Sequence, residues 1–256
     1  MTLIDVKRIV GASVETTIAS ADFAVLSIGS VEWHGPHLPL GTDTLLADGF
    51  TSALAEGEWQ AVLYPTVSFT ASPGQTRSYP GTIGIRPETM VEYYTQILEG
   101  ILASGFRRVL IVNAHDSNMS TMRTAMEWVS GRTTASLLLV NWFQLVSSEE
   151  TAELFGPGEP HGHGGSFETS GLMAFAPDTV DLSAVDDIPP RPRLAVEAEH
   201  VLIESHPSPW FGWSGNISQV TPHNAAELRR HATRRLMSLV DAWLRSPIPE
   251  PPGFTR

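Results

Sequence analysis

The chain has 256 residues, 42% hydrophobic and 17% charged, with a formal net charge of -12. That is an ordinary globular composition, long enough to bury a substantial core, and no composition shift divides it, so one domain over residues 1–256 is expected. Cysteine is absent, which rules out disulfides, thiolate ligands and a cysteine nucleophile, and the acidic balance argues against nucleic acid or an anionic membrane as partner.

In chain order, Phe23-Ala24-Val25-Leu26-Ser27-Ile28 is a short apolar run closed by Gly29, the pattern of a strand buried on both faces. A glycine- and proline-rich loop follows, and a helix is expected from Thr44 to about Glu56. Ala61 to Pro65 reads as a second strand, ended by proline. Pro87 and Glu88 open a helix in which Met90, Tyr94, Ile97 and Ile101 recur at helical spacing up to Gly105, a residue suited to the C-terminal cap. Arg108 to Asn113 is the next strand, Met119 to Val129 a helix, and Ala135 to Val140 another strand. An apolar segment covers Thr169 to Phe175, and Asp178 to Arg193 is rich in Pro and Asp, as suits an excursion or a subunit contact. A helix around Asn224 to Leu244 precedes the proline-rich tail Ser246 to Pro252, which cannot be helical. Alternating strands and helices predict an α/β fold with a largely parallel sheet covered on both sides. The amino terminus shows no basic region followed by an apolar stretch, and no apolar run reaches the roughly 18 residues of a membrane span, so a cytoplasmic protein is expected.

In such sheets functional groups collect beyond the carboxyl ends of the strands, and three clusters fall on or near such loops. Glu32 and His34 lie two apart, so on extended backbone their side chains project the same way. Asp43 follows after the stiff Pro36 to Pro39 turn, and a carboxylate with two oxygens can bridge a cation pair. The bland alternative makes Glu32 and Asp43 loop caps and His34 a satisfied core residue. His115 follows the Arg108 strand, among Asn113, Asp116, Ser117 and Asn118, any of which could cap the next helix. Glu168, in His161-Gly162-His163-Gly164-Gly165-Ser166-Phe167-Glu168, would be costly to bury without a cation or hydrogen-bond partner. His163 and His161 are near enough in sequence to serve as ligand, proton carrier or support. Without thiolates, any metal rests on His, Asp and Glu, which suit zinc, manganese or iron(II). Other chemistries lack their residues: Gly212-Trp213-Ser214-Gly215-Asn216 misses the nucleophile elbow at Asn216, and neither a phosphate loop nor a His-Glu-x-x-His helix occurs. His200 and His206 read as ordinary surface or interface residues, and Trp210, Phe211 and Trp213 as core, contact surface or a pocket roof.

The segment from Gly29 to Asp43 resembles the first signature of the creatininase (creatinine amidohydrolase) family. Tyr79-Pro80-Gly81-Thr82, Asn113-Ala114-His115-Asp116-Ser117-Asn118 and His163-Gly164-Gly165-Ser166-Phe167-Glu168-Thr169-Ser170 resemble its further elements, over about residues 20–182. The resemblance implies a three-layer α/β/α fold, commonly hexameric, with two divalent metal ions hydrolysing non-peptide or cyclic carbon–nitrogen bonds of small molecules. It places metal ligands on Glu32, His34, Asp43 and His115, with Asp43 bridging. The fifth ligand varies among relatives; creatininase has an acid where this chain has Ser117, so Glu168 is taken, with Asp116 in reserve. His163 matches a proton-transferring histidine, with Glu168 beside it in the catalytic set, and Trp142, Tyr79 and Asp116 fall at substrate-contacting places. Glu159 and Pro160 stand where a second substrate tryptophan is expected, and Thr76 where many relatives have histidine, which argues against creatinine as substrate. The resemblance therefore implies an amidohydrolase acting on a small cyclic amide or a formamide. The alternatives it leaves are a peptidase of cofactor maturation and a non-catalytic ligand-binding member.

Overall fold

The computed structural model describes residues 2–72, 74, 76–156, 162–186 and 212–248. Five strands, β1 (Thr2–Asp5), β2 (Phe23–Ile28), β3 (Gln60–Leu63), β4 (Arg108–Asn113) and β5 (Ser136–Asn141), form one sheet in the order β1-β3-β2-β4-β5. All four pairings are parallel, with Ile28 level with Asn113 and Asn113 level with Asn141. That register brings the ends of β2, β4 and β5 to one edge. Around the sheet lie α1 (Val14–Ser20), α2 (Thr42–Ala53), α3 (Pro87–Ala103), α4 (Asn118–Ser130), α5 (Ser148–Phe155), α6 (Ser166–Phe175) and α7 (Pro222–Arg245).

Side-chain alternation along the central strands builds the layers. Phe23 and Val25 of β2 and Leu110 and Val112 of β4 pack with Leu46 and Phe50 of α2, Phe167 and Leu172 of α6, and Leu228 and Leu236 of α7. Their neighbours Ala24, Leu26, Ile28, Val109 and Ile111 face the other way, against Met90, Tyr94 and Leu98 of α3 and Met122 and Ala125 of α4. The expected three-layer α/β/α arrangement is the one observed. Among the described residues no helix is long and apolar enough to cross a membrane.

Several boundaries differ from expectation for identifiable reasons. β3 ends at Leu63, ahead of Pro65, which has no N–H for a ladder. α2 begins at Thr42 rather than Thr44, so Asp43 sits in its first turn instead of in the loop. Gly29 permits this start: a Cβ there would stand 2.5 Å from the Thr44 nitrogen, so α2 begins directly against the end of β2. α5, not expected from the sequence, opens with a reciprocal capping box between Ser147 and Glu150. The Pro- and Asp-rich segment is described as far as residue 186 and holds only short 3-10 turns at Pro177–Thr179 and Leu182–Ala184. Its remainder to Arg193, and the tail from residue 249, lie outside the described residues.

Candidate metal centre

The carboxyl edge of the sheet carries the chemistry. The loop after β2 is held by a hydrogen bond from the Glu32 N–H to the Leu40 carbonyl (2.9 Å) and from the Trp33 N–H to Thr82 Oγ1 (3.0 Å). Gly35, at φ 86°, turns the chain where a side chain would strike Trp213. Glu32 and His34 thereby point inward from β2, Asp43 arrives on the first turn of α2, His115 follows β4, and Glu168 occupies the first turn of α6. All five are buried.

Their contacts divide into two sets that share Asp43. His115 Nδ1 lies 3.0 Å from Asp43 Oδ2 and 3.3 Å from Glu32 Oε1. His34 Nε2 lies 3.1 Å from Asp43 Oδ1 and 3.9 Å from Glu168 Oε2. Donor atoms of Glu32, Asp43 and His115, and separately of His34, Asp43 and Glu168, fall within 4.8 Å of one another. Ligands about 2.0–2.2 Å from a tetrahedral ion stand about 3.4 Å apart, the spacing seen here. Each imidazole has its outer nitrogen on a backbone carbonyl: His34 Nδ1–H donates to Glu32 O (3.1 Å) and His115 Nε2–H to Ala71 O (2.8 Å). The inner nitrogen of each then faces carboxylate oxygen, an arrangement stable only with a proton or a cation between them. The donor set therefore fits hard or borderline divalent cations.

A shared proton meets the same requirement. Burial disfavours charged His34, but the charge and hydrogen bond of Asp43, with Glu168 and Glu32, outweigh it and push its pKa up to about 10. Burial is likewise overcome at His115 by the charge of Glu32, the hydrogen bond and charge of Asp43 and the Ala71 carbonyl, to about 9. Against burial, which would raise them, the same imidazoles hold Asp43 well below the usual carboxylate range and lower Glu32, His163 also acting on Glu32. Glu168 is the exception, raised by burial despite His34 and His163. Each carboxylate also accepts a fixed donor: Ser30 Oγ–H to Asp43 Oδ2 (2.6 Å), Thr76 Oγ1–H to Glu32 Oε2 (2.6 Å) and Gly164 N–H to Glu168 Oε2 (2.5 Å). No motif marks Ser30 in the sequence, and Thr76 stands out there only as a departure from the family pattern. Thr76→Val should weaken zinc binding about 10–100-fold, read by competition with a chelator, because Glu32 would lose the partner that turns Oε1 inward.

His163 stands at the rim. Its side chain is 22% exposed, its Nδ1 lies 3.9 Å from Glu32 Oε1, its Nε2–H donates to Trp33 O at 2.7 Å, and its ring lies over His34 at 4.2 Å. Tyr79 stacks on Trp33 at 5.6 Å, so the sequence-predicted Tyr79 pairs with the residue that lies between Glu32 and His34 in the chain. Asn113 braces the backbone of His115 at both its N–H and its carbonyl instead of capping α4. Asp116 is exposed and accepts from the Asn141 amide (3.2 Å), outside both donor sets. Trp142, expected to contact substrate, is fully buried among Phe50, Phe143 and Phe167. Trp213 is buried with Ile217 and Val220 and meets His37 edge-on. Glu159, Pro160, His161, His200, His206, Trp210 and Phe211 lie outside the described residues.

Among the described residues, a parallel α/β sheet carries buried carboxylates and imidazoles at its carboxyl edge, a donor set able to hold a cation. The family described as creatininase, creatinine amidohydrolase, matches residues 9–240, and the chain belongs to the creatininase family. It is 24% identical over 204 residues to a 3-dehydro-scyllo-inosose hydrolase of Thermotoga maritima, a match covering 77% of this chain and 65% of that protein. It is 26% identical over 191 residues to a creatinine amidohydrolase of Pseudomonas putida (69% of this chain, 73% of that one). A mycofactocin precursor peptide peptidase of Mycolicibacterium smegmatis is 30% identical over 168 residues (61% and 59%). The fold superimposes on a manganese form of creatininase with a TM-score of 0.81 at 20% identity, over 96% of this chain and 100% of that one.

Proposed function

We propose that this chain is a metal-dependent amidohydrolase that holds two divalent cations, zinc, manganese or iron(II), and opens the carbon–nitrogen bond of a small cyclic amide or a formamide. The observation that carries this reading is the division of Asp43, with one oxygen toward His34 and the other toward His115. Glu32 and His115 would hold one position, His34 and Glu168 the other, and Asp43 both. A bound cation pair supplies Lewis-acid polarisation of the substrate carbonyl and lowers the pKa of water. His163, the rim imidazole with its Nε2–H fixed on Trp33, turns Nδ1 inward and carries the proton to the leaving nitrogen. Glu168 supports this as ligand and as the acid nearest the His163 loop. Trp33 and Tyr79 line the approach of a flat substrate.

The peptidase reading is kept because a peptidase is among the relatives at 30% identity. Metal analysis of the purified chain, followed by a panel of cyclic amides, formamides and short peptides with zinc or manganese, separates the readings. Turnover of peptides alone would transfer the chain to the peptidases, and inertness without bound metal would leave a ligand-binding protein. Homo-oligomeric, hexameric assembly and a cytoplasmic location belong to the same proposal; light scattering reads the first.

Proton and cation compete for one place, which gives a pH signature. His34 and His115 are raised to about 10 and about 9, and Glu168 is raised, so their stabilisation of the metal-free fold is complete below their ordinary values and is lost as pH climbs. The melting temperature of chelator-treated protein should therefore fall between about pH 6.5 and 10, while zinc-loaded protein stays level. Zinc affinity should rise over the same window, with protons released on binding, measured by calorimetry in buffers of different ionisation enthalpy. A melting temperature that rises with pH in the chelated protein would refute this.

A further inference from the structure

The backbone of Gly164 links Glu168 to His37. Its N–H donates to Glu168 Oε2 (2.5 Å), and its carbonyl accepts from His37 Nε2–H (2.8 Å) and Thr169 Oγ1–H (3.0 Å). Gly164 adopts φ 68°, and a Cβ there would stand 2.6 Å from the His34 carbonyl oxygen, so this stretch has no slack on that side. His163 is its immediate neighbour and Glu168 lies four residues on. Ser214 N–H also reaches the His163 carbonyl (2.8 Å), bracing the same loop from residues 212–215.

His37 comes from the distant Pro36 to Pro39 turn and is buried against Trp213. Among the described residues its Nδ1 has no hydrogen-bond partner. A leucine or methionine would fill that apolar wall without stranding a nitrogen, so what the imidazole adds is the Nε2–H. That donor reaches the Gly164 carbonyl and lies 3.1 Å from Thr169 Oγ1.

We propose that His37 is a positioning residue that acts through the Gly164 carbonyl to set His163 over the cation donors, a role that rests on the hydrolase reading above. His37 belongs to none of the donor groups found among the described residues. Its effect passes through one hydrogen bond to the backbone that carries His163 and caps Glu168. Displacement of a reacting group by about 1 Å costs about 10²-fold in rate, which sets the size of the effect.

The test uses the full chain loaded with zinc, in native form and as His37→Met and His37→Gln. Methionine fills the space without a donor, and glutamine restores an N–H. Hydrogen–deuterium exchange of the segment 162–169 should quicken about tenfold or more in His37→Met and return toward native in His37→Gln, with the segments around His34 and His115 unchanged. On the cyclic amide or formamide that the native chain turns over fastest, kcat should fall about 10²-fold in His37→Met with KM changed less than about threefold, and His37→Gln should recover most of the loss. Native exchange and native kcat in His37→Met would overturn the proposal, as would equal damage in both variants. If the native chain turns over no amide, the hydrolase reading fails by itself, and the exchange pattern alone decides whether His37 holds the loop.

Discussion

Asp43→Asn should weaken both zinc-binding steps, whereas Glu168→Gln should weaken only one. An asparagine side chain has a single carbonyl oxygen and no charge, yet Oδ1 of Asp43 meets His34 and Oδ2 meets both His115 and Ser30. Neither cation position keeps a full donor set without it. Glu168, by contrast, enters only the set that contains His34. Zinc titration against a chelator should show two displaced steps in the first variant and one in the second. Hydrolysis by Asp43→Asn should drop at least about 10³-fold, beyond the 10–100-fold cost of losing a partner outside the ligand set. A second step left at native affinity would mean that Asp43 serves one cation and the paired reading is wrong.

Replacing His163 should separate metal binding from turnover. His163→Ala is expected to keep both cations and to lower kcat by about 10²–10⁴-fold, the usual worth of a positioned acid or base, with a smaller change in KM. The side chain is more exposed than any of the five proposed ligands and has its Nε2–H on Trp33 O. Added imidazole should restore part of the rate, because the vacated space opens toward solvent. His163 also lies near enough to Glu32 and His34 to form a third donor group, so loss of one zinc equivalent in His163→Ala would reassign it from proton carrier to ligand.

The sequence displayed the centre more fully than the structure around it. Glu32, His34, Asp43, His115 and Glu168 stand out because acids and imidazoles on glycine-rich loops after apolar runs have few other uses, and the buried strands β2 and β4 announce themselves as continuous apolar stretches. β1 is not legible in the sequence because a four-residue edge strand carries too short a pattern. The start of α2 at Thr42 is not legible in the sequence, because only the backbone contact at Gly29 shows how the helix meets the sheet. Ser30, Thr76 and His37 act through hydrogen bonds to partners 13, 44 and 127 positions away, a relation that no local periodicity encodes. Trp142 follows β5 directly, and its ring turns into the core, a direction that its place in the sequence does not reveal.

The inward nitrogens of His34 and His115 have a last consequence. With the pKa of the two rings pushed up to about 10 and about 9, hydrogen ions should act as place-holders that keep the acidic side chains from repelling one another wherever no cation is bound. Demetallated protein should then retain its folded shape and its tryptophan environment, and take up zinc again without refolding. On the proposed function, the chain would wait, assembled but inactive, for whichever cation its surroundings supply.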